Sequence, residues 1–99
     1  MEENVKVIKI EEAVRDYVEG LDYEYSVRRD LVSFMLSNNM STDTDAFKKY
    51  QTEMAEYNAK FKIAKNEIEK QYILPIIGDK KVRWVLNYDT AEVTITVVD

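Results

Sequence analysis

The sequence has no cysteine and no histidine, and it holds one proline and two glycines in 99 residues. Without cysteine there are no disulfide staples, no thiolate nucleophiles and no thiolate metal ligands; without histidine, imidazole metal sites and imidazole general-base catalysis are excluded as well. So little glycine and proline leaves small room for flexible linkers. No apolar run approaches the roughly 18 residues of a membrane-spanning helix. The opening Met1-Glu2-Glu3-Asn4 is polar and acidic, unlike a secretory leader. These absences set the expectation of a cytoplasmic, intracellular protein with no membrane partner. A glycine-rich phosphate loop, a nucleophile elbow and a metal-binding acid cluster are also missing, which points away from an enzyme, a cofactor or a small-molecule substrate.

What is present suits one compact core. Hydrophobic residues make up 45% of the chain and aromatics 11%, seven of them tyrosine, far from a disordered composition. The length fits a single domain over residues 1–99. Acids outnumber bases by 19 to 14, for a net charge of −5 and a pI near 4.8. Affinity for nucleic acid comes mainly from Lys and Arg on phosphates, so this balance argues against it.

The dominant pattern lies between Asp43 and Ile73. Phe47, Tyr50, Met54, Tyr57, Phe61, Ala64 and Ile68 recur in alternating steps of three and four, the seam of a long amphipathic helix over about 43–73. Glu56 before Lys60, and Lys49 before Glu53, add pairs four residues apart that are each worth a few tenths of a kcal/mol. Thr42 with Asp45 resembles a capping box at its start. Pro75 predicts its end, because proline disfavours helical geometry at the preceding residue.

Upstream, Val5–Ile10 is rich in β-branched residues and reads as a strand. Helical spacing then begins at Ile10, with Gly20 placed as a C-terminal cap and Asp22 as the N-cap of a second helix that runs to Leu36. Ser37-Asn38-Asn39 reads as its stop. The competing reading is one helix over 11–36 with a kink at Gly20. Downstream, 82–88 and 92–98 alternate in polarity around Asp89-Thr90 and predict a β-hairpin. A bare hairpin is marginal in water, so it needs the long helix, or a third strand from Val5–Ile10 or from Ile76-Ile77, against its apolar face. The fold class expected is α+β: two shorter N-terminal helices and one long central helix in a helical layer, with a small antiparallel sheet.

A coiled-coil-like seam about 45 Å long outreaches the shorter helices that this chain can lay over it. The expectation is therefore a non-catalytic protein–protein interaction or assembly subunit, a homo-oligomer or the partner of another protein, of the kind found in a phage or other multi-subunit particle. Its candidate contact residues are Phe47, Tyr50, Met54, Tyr57, Phe61, Ile73, Leu74, Ile76 and Trp84. The alternative is an acidic inhibitor, antitoxin-like or a phage-encoded blocker of host defence, that occupies the basic nucleic-acid site of an enzyme. The acids Glu2, Glu3, Glu11, Glu12, Asp16, Glu19, Asp22 and Glu24 carry that reading. A third possibility is nucleic-acid binding through Lys80, Lys81, Arg83 and Trp84.

Overall fold

The computed structural model describes residues 4–98, which leaves Glu2 and Glu3 of the acidic group outside the described residues. In order the chain forms β1 (Val5–Lys9), α1 (Glu12–Ser37), α2 (Asp45–Ile68), β2 (Val82–Asn87) and β3 (Glu92–Val97). A π turn, Glu69–Ile73, and a last α-turn, Leu74–Ile77, prolong α2 without a break, so there are two helices and not three. The class is α+β, as expected. By internal contacts the chain divides into two compact units: one joins the chain up to Val18 with the chain from Ala64 onward, and the other is Glu19–Ile63.

The two short helices expected before residue 37 are one helix of 26 residues. The reason is visible in its register, because Val14, Val18, Leu21, Tyr25, Arg28 and Val32 continue a single three-four alternation straight through Gly20. Gly20 is exposed, has no positive φ and has open space beside it. An isolated glycine costs a helix about 1 kcal/mol relative to alanine, which a continuous buried stripe outweighs. Asp22 is accordingly a mid-helix residue and not a cap.

The real end of α1 is a Schellman motif. Asn39 takes a left-handed φ of 55°, its N–H donates to Leu36 O at 3.1 Å, and Met40 N–H donates to Met35 O at 2.9 Å. Asparagine tolerates that conformation better than most residues. Five residues later α2 begins on Thr44, whose Oγ1 accepts from Phe47 N–H at 3.2 Å and donates to Ser41 O at 3.3 Å. Thr44 is the cap, and the expected pairing of Thr42 with Asp45 does not form it.

Within the Glu19–Ile63 unit, α1 and α2 fold back as a helical hairpin. Arg28 ties the arms together. Its Nε donates to Glu53 Oε1 at 2.9 Å, its Nη1 reaches Glu24 one turn back, and its guanidinium lies 4.8 Å from the centroid of the Tyr57 ring. The hydrogen bond that Arg28 donates to Glu53, then that to Glu24, raises the Arg28 pKa above its ordinary value.

In the other unit the three strands form an antiparallel sheet in the order β1-β3-β2. The third strand is β1; Ile76 and Ile77 belong to the last α-turn instead. The helix runs past its expected end at Ile73 because the π turn widens it there, with Leu74 N–H donating to Glu69 O. Pro75 then falls in the first turn of the new segment, where its missing N–H is no loss. Gly78, at φ 75°, closes the helix. The hairpin turn is also longer than Asp89-Thr90: it spans 88–91, with Ala91 at φ 58° and Asn87 Oδ1 accepting from Asp89 N–H at 2.8 Å.

Candidate interaction surface

Alternation along the strands assigns each side chain to one of two sheet faces. Register pairs Lys6, Ile95 and Trp84 across the sheet, and likewise Ile8, Val93 and Leu86. That is the inner face: Val93 and Ile95 are fully buried, and Trp84 Nε1 donates to Glu69 Oε2 on the π turn at 2.7 Å. Arg15 Nη1 donates to Tyr88 O at 2.8 Å and so fastens the first turns of α1 to the hairpin turn.

The outer face is built differently. Its rows are Val5, Thr96 and Arg83; Val7, Thr94 and Val85; and Lys9, Glu92 and Asn87. Val5, Val7 and Val85 are 45%, 56% and 70% exposed, although valine normally sits inside. Both outer strands are edges, and cationic side chains on edge strands discourage further strand pairing. Lys6 and Lys9 serve β1 in that way, and Arg83 serves β2. Lys81, whose carbonyl accepts from Val98 N–H at 2.9 Å, continues the outward positions of β2. Among the described residues the face thus carries threonines along its central strand, valines on the two edge strands, and Lys9, Lys81 and Arg83 against one acid, Glu92. On a chain of net charge −5 this is a local reversal of sign.

The residues singled out from sequence are distributed as follows. Phe47 is buried at 5% exposure and Ile73 at 3%, whereas Tyr50, Met54, Tyr57 and Phe61 are half-buried on the inward side of α2. Leu74 and Ile76 are exposed at 49% and 47%. Trp84 is half-buried on the inner face, with Lys65 Nζ 5.4 Å from its ring centroid. Lys81 and Arg83 point to the opposite face, so the structure does not bring them together with Trp84 as a stacking site. Ile73 and Leu74 do share a cavity of about 390 Å³ with Glu69, Lys70, Lys80 and Val82.

Sequence reasoning missed Val5, Val7 and Val85. The signal for Val85 was there, since a strand with Trp84 and Leu86 inward must turn Val85 outward. For β1 there was less to read, because β-branched residues occupy both of its faces, Val5 and Val7 on one and Ile8 on the other. In the Glu19–Ile63 unit, Phe34, Leu36 and Met40 are also exposed, around the Schellman turn. Among the described residues no group of three or more carboxylates is gathered to hold a metal ion, and no helix is long and apolar enough to cross a membrane. Comparison of the chain with family models, with curated proteins and with solved structures found no match.

Proposed function

We propose that the protein is a non-catalytic interaction or assembly subunit, of the kind that builds a phage or other multi-subunit particle, and that the outer face of the β-sheet is its contact surface. The observation that carries this is the exposure of Val5, Val7 and Val85 on one sheet face, with Val7 and Val85 on the two edge strands flanking Thr94 of β3. Burying apolar surface is worth roughly 25 cal/mol per Å², so three open valines on a rigid sheet favour being covered. Leu74 and Ile76 add apolar exposure in the same unit. The half-buried seam of α2 supports the reading less than its length alone suggested, since α1 is one long helix and not two short ones.

The test is photo-crosslinking from a benzophenone side chain placed at position 85, with position 56 on the exposed side of α2 as control. Protein adducts that form at position 85 and not at 56 are the expected result. Equal labelling from both positions, or none from either, overturns the assignment of this face. The second reading, an acidic blocker of a basic nucleic-acid site, rests on the exposed acids of α1. It ranks lower because Arg15 Nε holds Asp16 Oδ1 at 2.6 Å and so offsets part of that charge.

A further inference from the structure

The exposed side of α1 carries the charge that the outer sheet face lacks. Glu12, Asp16, Glu19 and Tyr23 recur in steps of four, three and four and form one stripe along the helix, all exposed. Tyr17, beside them, is 59% exposed and Tyr23 is 66% exposed. The Asp16 side chain is 67% exposed even with Arg15 on it. Three acids with two tyrosines on a helix thus answer three cations with three valines on a sheet.

From this we infer that the occupant of the outer sheet face is a second copy of this chain, docked through the Glu12–Tyr23 stripe of its α1. The inference rests on the proposed interaction role and names the partner for it. Complementary charge fixes the orientation and the tyrosines cover the valines, since tyrosine supplies large contact area with a polar rim. Nucleic acid is the poorer fit to the same cations. Single strands bind by stacking bases on aromatic rings, and the outer face has none among the described residues, while Trp84 lies on the inner face with its N–H held by Glu69.

Two consequences follow from geometry. The patches differ, so the contact either closes reciprocally in a twofold dimer or runs head-to-tail, giving a ring if the rotation closes and a filament if it does not. A sheet face of three strands and five residues spans only some 10 by 17 Å at ordinary strand spacings. That is far less than the roughly 800 Å² per partner of a standard interface, so each contact is weak and the assembly depends on repetition.

The experiment is sedimentation of the full chain over about 10 μM to 1 mM, a range chosen for a contact this small. The wild-type protein is expected to gain mass with concentration in 50 mM salt, with association at least about tenfold weaker in 500 mM salt, where screening shortens to a few ångströms. Lys9→Glu with Arg83→Glu reverses the sheet, and Glu12→Lys with Glu19→Lys reverses the helix. Each double variant alone is expected to stay monomeric, and an equimolar mixture of the two to associate again, a gain that misfolding cannot imitate. A wild-type monomer throughout, association indifferent to salt and to both reversals, or a mixture that stays monomeric overturns the inference. So does saturable binding of a single-stranded oligonucleotide that the sheet reversal abolishes while the protein stays monomeric. If crosslinking at position 85 captures a different protein and sedimentation finds a monomer, the interaction role stands and the second copy falls.

Discussion

Gly20 is the clearest residue at which local preference yields to packing. It sits in the middle of a 26-residue helix, exposed, with open space where a Cβ would go. Gly20→Ala is therefore expected to stabilise the protein by about 1 kcal/mol, read as a higher urea midpoint with unchanged slope. An unchanged or lower midpoint would mean that the helix is not continuous there. At the other helix start, Thr44→Ala is expected to cost about 1 kcal/mol through loss of the Phe47 N–H acceptor, while Thr42→Ala changes little. Equal losses at both would restore the capping box that the spacing of Thr42 and Asp45 implied. Arg28 behaves differently from either, because it joins two elements. Its raised pKa means that the ion pair contributes fully below the ordinary guanidinium value and is lost only as pH climbs past the raised one. Arg28→Gln should lower the urea midpoint, with the same loss at pH 6 and pH 9. A loss confined to one of these pH values would place the effect on another group.

Among the elements, the long seam and the C-terminal hairpin were legible because each has a period that only one kind of element satisfies. Seven apolar positions in three-four steps leave no option but helix, and Val93, Ile95 and Val97 between Thr94 and Thr96 leave none but strand. Breaks were harder to read. Gly20 and Pro75 are strong local signals, yet the first lies inside a continuous stripe and the second is accommodated by a π turn. Five capping residues from Ser41 to Asp45 compete, and only the loop geometry selects Thr44. The contact surface was less legible still: the strands of the sheet could be proposed, but which face stays open depends on what packs on the other. The π turn is itself testable, because it lets the helix run past Pro75. Pro75→Ala removes the need for it, and the Leu74 amide is then expected to bond at Lys70 O instead of Glu69 O, a change visible in amide chemical shifts around 69–75. Shifts unchanged beyond position 75 would give the widened turn another cause.

At the scale of the molecule, the two compact units are not separate lengths of chain. Both α1 and α2 run from one unit into the other, α1 across Val18 and Glu19 and α2 across Ile63 and Ala64. A helix that unfolds in its middle loses hydrogen bonds on both sides of the break, so continuous helices couple the units even though each has its own buried side chains. The Glu19–Ile63 unit buries Leu21, Val32 and Phe47, and the other buries Ile68, Val93 and Ile95. The single tryptophan, Trp84, reports on the latter alone. Phe47→Asp places an uncompensated carboxylate at a buried site in the former, at a cost of several kcal/mol. If the helices transmit that loss, Trp84 fluorescence and helical circular dichroism fall together along one urea curve, displaced to lower denaturant for Phe47→Asp. Should Trp84 keep its native emission in the variant after most helical signal has gone, the sheet-bearing unit holds itself together without the hairpin.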